Sequence, residues 1–163
     1  MVTARRGPYR EIRMSKLSWV LVVVAALLFS GPAAAQLKPY VDYETSDSVW
    51  HITTVRVNAN ATDDYLEGIR QTWVASQEVA KKLGHIEDYF VYASDLPGSG
   101  DFNMLLVTKF KSSADVAPSK ARYVAFMKEW GDARVQKTRA IVKDYPAMRE
   151  ITGEYKLRRV MFK

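Results

Sequence analysis

The sequence predicts an α+β fold, a single domain in β-α-β-β-α-β order with one four-stranded antiparallel sheet carrying two helices on one face. Three observations predict it. Residues 49–57 (VWHITTVRV) are largely β-branched or aromatic, lack Gly and Pro, and run into a polar turn and a long amphipathic pattern. Two more runs of strand composition flank a Pro- and Gly-containing loop, which is the mark of an antiparallel hairpin. A second helical pattern and a final strand pattern then repeat the opening plan.

With 163 residues the chain has room for one domain and is tight for two. Its formal charge of +6 would suit a nucleic-acid binder, but the excess is local. Residues 1–35 hold Arg5, Arg6, Arg10, Arg13 and Lys16 against Glu11, so the remainder has 19 basic and 17 acidic residues, a net +2. No nucleic-acid partner is expected.

Those cations precede an apolar run at 17–29 (LSWVLVVVAALLF), then Ser30-Gly31-Pro32 and Ala33-Ala34-Ala35. A basic start, a short apolar run and an A-x-A site make a secretory signal peptide, cleaved near Ala35. The run is shorter than the roughly 20 residues of a spanning helix, so no membrane span is expected after cleavage. An uncleaved N-terminal anchor is the alternative, and Met14 competes with Met1 as the start. The chain has no Cys, which excludes disulfides, thiolate metal sites, Cys catalysis and a lipid-modified Cys. The expected location is periplasmic or secreted, and the 128 residues after Ala35 must stand on a hydrophobic core alone.

Residues 36–48 form an extended lead-in, and 49–163 the folded domain. On the first strand Val49, His51, Thr53, Val55 and Val57 share one face, and Trp50, Ile52, Thr54 and Arg56 the other. After the turn at 58–61, Thr62 is an N-cap candidate, with Asp63 and Asp64 at the positive end of the helix dipole. Leu66, Ile69, Trp73, Ala80 and Leu83 make the buried stripe, and Gly84 is a C′ residue. Strands are expected at 86–94 and 102–110, with a turn between them. Ser112 or Ser113 caps a short turn. A second helix starts near Ser119, carries Tyr123, Phe126, Met127 and Trp130 on one side, and breaks near Gly131. Pro146 ends or kinks it, residues 147–151 add a helical turn, and 154–162 form the last strand.

This order is the ferredoxin-like arrangement. Apolar strand residues such as Leu105 and Val107 or their neighbours must point to the face without helices. A second copy is the economical cover, so a homodimer with sheets face to face is expected, with a helix–sheet cleft in each subunit.

The strand VWHITTVRVNAN, the following DDYLEGIRQTW and the element order together resemble the dimeric α+β barrel superfamily, over residues 49–162. That group includes antibiotic-biosynthesis-monooxygenase-like, NIPSNAP-like and stress-responsive barrel families. The resemblance implies a dimeric barrel; some members are cofactor-independent monooxygenases, some degrade haem, and many are uncharacterised. The haem-degrading members use an Asn, a Trp and a His at set positions. No counterpart set occurs here, since His85 stands at a helix end in other surroundings, so no catalytic residue is carried over. No cofactor is called for. Haem is what the resemblance would admit, and no residue set supports it.

The candidates for a ligand cleft are Trp50, His51, Arg56, Tyr65, Tyr92 and Asn103. His51 in mid-strand could serve as acid, base or axial ligand; the plainer reading is a half-buried His in the sheet or at the dimer interface. Trp50, Tyr65 and Tyr92 belong to an aromatic set large enough to line an apolar cleft, for which core packing is the plainer reading. Arg56 or Asn103 would polarise the ligand. His85 reads as a helix-end residue, and two histidines without metal-ligand spacing exclude no fold but support no metal site. Gly98-Ser99-Gly100 lies between strands and makes no phosphate cradle, and no G-x-S-x-G elbow is present. Lys156, Arg158, Arg159 and Lys163 form a small basic patch that also suits a solvated strand edge. Two functions of different class follow: a binder of a small apolar or aromatic ligand, with cofactor-independent monooxygenase chemistry as its enzymatic form, or a structural dimer whose cleft is filled by its own side chains and lacks the ~300 Å³ that ligand sites need.

Overall fold

Val49–Val57 is a nine-residue strand hydrogen-bonded along both edges, the central position its β-branched composition suits. In the computed structural model, which describes residues 36–96, 98 and 100–163, the strands are β1 (Tyr43–Thr45), β2 (Val49–Val57), β3 (Asp88–Ala93), β4 (Met104–Phe110), β5 (Arg149–Leu157) and β6 (Val160–Phe162). The expected signal segment at 1–35 lies outside the described residues, as do Pro97 and Ser99 of the hairpin loop. Four strands make one antiparallel sheet in the order β3-β4-β2-β5. With a helical crossover after β2 and another after β4, this is the ferredoxin-like fold.

The first crossover winds without interruption. A 3₁₀ turn at Ala59–Ala61 leads into α1 (Thr62–Ile69), a π segment at Arg70–Val74 and α2 (Ala75–Lys82). Thr62 is therefore inside the helix and not its cap, because the 3₁₀ turn begins the winding one turn earlier. Asp63 and Asp64 do occupy the first turn. Gly84, with φ 70°, closes α2: its amide donates to Lys81 O, and the His85 amide donates to Ala80 O, both at 2.9 Å. That is the paired Schellman pattern, and a left-handed residue makes it. His85 thus ends the helix through its backbone.

The second crossover is broken into α3 (Ser113–Val116), α4 (Lys120–Trp130), α5 (Asp132–Val142) and α6 (Tyr145–Met148). Ser112 closes a capping box with Asp115, and the Ser119 hydroxyl accepts from the Arg122 amide. The break at Gly131 (φ 78°) is where the sequence puts it. Tyr123 does not join the buried side of α4. It is 64% exposed, and burial is confined to the C-terminal half, where Phe126 and Trp130 stack at 5.8 Å.

Two expectations for the C-terminus are corrected. Residues 149–151 are strand, not helix: Arg149 has an extended backbone and pairs with Val57. The run at 154–162 is two strands, with β6 leaving the sheet to pair with β1 inside the expected lead-in. Ser46 fastens the crossing, its amide donating to Arg159 O at 2.8 Å and its carbonyl accepting from Arg158 Nη1 at 3.1 Å.

The helices cover the β2 face that carries Val55 and Val57. With Tyr65, Ile69, Met104, Leu106 and Tyr145 these form the buried core. Between Thr54 and Val55 the β2–β5 register slips, leaving Thr152 unpaired in a bulge. A bulge reverses the facing of every residue beyond it. Glu154 and Lys156 therefore take the helix side, opposite Thr53 and His51, while Tyr155 and Leu157 turn to the bare side opposite Ile52 and Trp50.

Candidate ligand-binding cleft

Strand alternation puts His51 and Thr53 of β2, and Leu106 and Thr108 of β4, under the helix rather than on the bare face. The helix does not fill the space above them. A cleft of about 500 Å³ remains, roofed by Trp73 and Gln77 and bordered on the β5 side by Arg149 and Glu154. His51 is half-buried in it, and the Thr108 hydroxyl donates to Gln77 Oε1 at 3.4 Å across it.

Trp73 reaches this position through the π segment. A π turn holds an extra residue and displaces the helix face, a distortion often found at functional sites. Here the Thr72 hydroxyl donates back to Gly68 O at 2.9 Å. Tyr89 of β3 meets Trp73 edge-on at 5.7 Å and donates its hydroxyl proton to Glu78. That hydrogen bond to a carboxylate, with some desolvation, pushes the Tyr89 pKa up to about 12.

Arg149 supplies the charge. Its guanidinium lies 6.0 Å from the Tyr65 ring and 5.6 Å from the Tyr145 ring, and Nε is buried with no acceptor among the described residues. Burial raises the pKa of both tyrosines, and the Arg149 cation pulls each the other way. Both therefore stay neutral beside it. A cation, an imidazole, hydroxyls and apolar walls can hold a ligand with an apolar body and a polar end. Among the described residues no group of three His, Asp or Glu is placed to hold a metal ion.

Of the six sequence candidates, only His51 lines this cleft. Trp50, its neighbour in the strand, must point the other way; it stacks on Phe90 at 5.9 Å on the bare face, beneath the Lys109 ammonium. Tyr92 is also on that face, 52% exposed and stacked on Phe90 at 6.0 Å. Tyr65 is a core residue, 1% exposed. Arg56 and Asn103 sit at the end of the sheet. Arg56 donates to the carbonyls of Gly100 and Asp101 in the hairpin loop. The Asn103 amide exchanges two 2.8 Å hydrogen bonds with the Val57 backbone and so extends the ladder. Sequence reasoning counted Trp73 among the aromatics able to line a cleft but read it as core, and it missed Arg149. The Trp sits in a helical stripe that reads as core, and the strand character of Ile151-Thr152 was the available sign that Arg149 begins a strand.

No protein-family model and no curated protein matches the chain. Several solved structures are similar. The HapK protein of Hahella chejuensis is 14% identical, with a TM-score of 0.42 over 68% of this chain and 91% of that one. A NIPSNAP family protein of unknown function from Agrobacterium tumefaciens is 19% identical, with a TM-score of 0.46 over 71% and 91%. A protein of Bacteroides fragilis described as dimeric, of unknown function and ferredoxin-like is 17% identical, with a TM-score of 0.39 over 73% and 99%. These likenesses are of fold, and fold alone assigns no activity.

Proposed function

We propose that the chain is an exported homodimer that binds a small apolar or aromatic molecule in the helix–sheet cleft of each subunit. The observation that carries this is the cleft itself. At about 500 Å³ it lies within the roughly 300–1,000 Å³ of small-ligand sites, whereas a purely structural dimer would fill it with its own side chains. Its lining suits the ligand class: Ile86, Leu106 and Phe110 supply apolar surface, and His51 and Thr108 supply polar contacts that orient.

Pairing of two copies is supported by the bare face of the sheet. Trp50, Ile52, Phe90, Tyr92, Leu105, Val107, Tyr155 and Leu157 alternate onto it by register, and Tyr92, Tyr155 and Leu157 are about half exposed. A contiguous aromatic face of this kind is unusual on a lone soluble domain. Export is supported by the basic and apolar patterning of residues 1–35.

The test is native mass spectrometry, with an absorbance scan, of protein recovered from the periplasmic fraction. A dimer carrying extra mass or a chromophore is expected, and Ala80→Phe, which fills the cleft, should remove the added mass and leave the dimer. A bare wild-type protein that also binds no aromatic probe would defeat the reading.

A further inference from the structure

Trp73 and Arg149 have a second side. Behind them, between the first crossover helix and α4–α6, lies a separate pocket of about 400 Å³. We infer that this pocket is a binding site for a small aromatic carboxylate, whose ring lies among Trp73, Phe126 and Trp130 and whose carboxylate meets the Arg149 guanidinium. The inference does not depend on what the helix–sheet cleft holds.

The polar groups of the pocket fix the sign of the ligand. Thr72 Oγ1 donates to Gly68 O at 2.9 Å, so in its 2.6 Å contact with Tyr145 the proton comes from the tyrosine. Ser76 spends its proton on Trp73 O at 2.7 Å. These three hydroxyls are thus committed within the protein. Of the polar side chains left, Thr138 offers a neutral hydroxyl and Arg149 a cation, and no acidic side chain lines the pocket. None of the salt bridges among the described residues includes Arg149. A guanidinium whose Nε is sealed without an acceptor is an incomplete arrangement, because a buried polar atom is ordinarily hydrogen-bonded. The two tyrosine rings offer it cation–π contact, which disperses charge, and the Tyr65 hydroxyl stands within reach of one of its N–H groups, but neither supplies a negative charge. A carboxylate would take two of its N–H groups in a fork.

The walls fix the rest. Phe126 and Trp130 lie within 19° of parallel and both line the pocket, while Arg134, 5.3 Å from the Trp130 ring, lies outside its lining. Pro146 and Val142 add apolar surface to the lining. A planar ring suits that shape better than a flexible chain, which would lose rotamer entropy on binding.

The experiment titrates the full-length protein with 1-naphthoate and with its neutral isostere 1-naphthamide, reading heat by calorimetry and the tryptophan signal, to which Trp73 and Trp130 contribute, by fluorescence. Wild type is expected to bind the acid at least tenfold more tightly than the amide. Arg149→Met should abolish that preference, and Arg149→Lys should restore part of it. Thr138→Trp, which crowds this pocket alone, should weaken the acid at least tenfold, while His51→Ala leaves it unchanged. Thermal melts of each variant show which are folded; Arg149→Lys and Thr138→Trp keep the test open if Arg149→Met is not. Equal affinity for acid and amide would overturn the inference, as would no binding of either. So would a preference that survives Arg149→Met, or loss of binding in His51→Ala but not in Thr138→Trp.

Discussion

The strands of this sheet present two apolar faces with different fates. On the covered face Val55, Val57, Met104 and Leu106 are all under a tenth exposed, beneath α1 and α6. On the bare face Tyr92, Tyr155 and Leu157 stand about half exposed, although they alternate along the same strands. Propensity cannot separate the two, since each strand contributes to both. What differs is the source of cover. The covered face obtains it from helices joined through the chain and therefore contributes to folding stability. The bare face has already buried Val107, 2% exposed among its neighbours, but leaves the rings around it open to a second surface.

If that contrast is right, substitutions on the two faces should fail in different assays. Met104→Ala removes a side chain that is 2% exposed in the centre of the covered face. It should destabilise the fold by about 2–5 kcal/mol, read from urea unfolding, with no change in association of the folded fraction. A loss below about 1 kcal/mol would mean that this core closes over the cavity or was never tightly packed. Phe90→Glu should do the opposite. Phe90 lies between Trp50 and Tyr92 in the aromatic row, where a charge would be trapped on pairing. Sedimentation across a concentration series should show dissociation strengthened at least about 30-fold, the effect of losing ~2 kcal/mol at a central interface residue, while circular dichroism stays native. Unchanged association would move the interface elsewhere.

A third substitution sharpens the contrast within the covered side. A Cβ on Gly68 would stand 2.9 Å from Tyr145 Cε1 and 3.1 Å from its hydroxyl, so α1 meets α6 here only because residue 68 lacks a side chain. Gly68→Ala gains about 1 kcal/mol of helix propensity but overpacks a buried contact, at about 1–3 kcal/mol. A net destabilisation of about 1 kcal/mol is expected, and it should vanish in a Tyr145→Leu background, where the ring that obstructs the methyl is gone. Equal effects in both backgrounds would place the strain elsewhere.

The sequence was most legible where one local rule governs. β2, the Gly84 and Gly131 breaks, the helix start near Ser119 and the strand order all follow from composition and turn chemistry, and the structure has each of them. It was least legible where two distant segments meet. The Thr152 bulge depends on how β5 registers with β2, and it alone decides that Glu154 faces the cleft and Tyr155 the bare side. The exit of β6 toward β1 depends on a lead-in that looks merely polar. The candidate site fared worse for the same reason. Trp50 and His51 attract notice as neighbours, but neighbours in a strand cannot share a cleft, and Arg149 belongs to it through pairing with Val57, 92 positions earlier.

The smallest expected effect lies at the margin of the covered face, where the hydrogen bond from Tyr89 to Glu78 ties β3 to α2. The folded-state pKa of Tyr89 is raised to about 12 from an ordinary 10, first by this bond, then by desolvation and by the Glu78 and Asp88 charges. The unfolded chain therefore gives up the tyrosine proton first. The contribution of this bond is fully present below about pH 10 and is lost as pH rises toward 12. Tyr65 and Tyr145, also raised, add a decline of the same sign, so wild type alone cannot isolate Tyr89. The comparison that does is with Tyr89→Phe. Urea midpoints of the two proteins should differ by a constant amount up to about pH 10 and converge above it. A gap that persists unchanged at high pH would show that Tyr89 contributes through its ring on Trp73 and that the hydroxyl adds nothing.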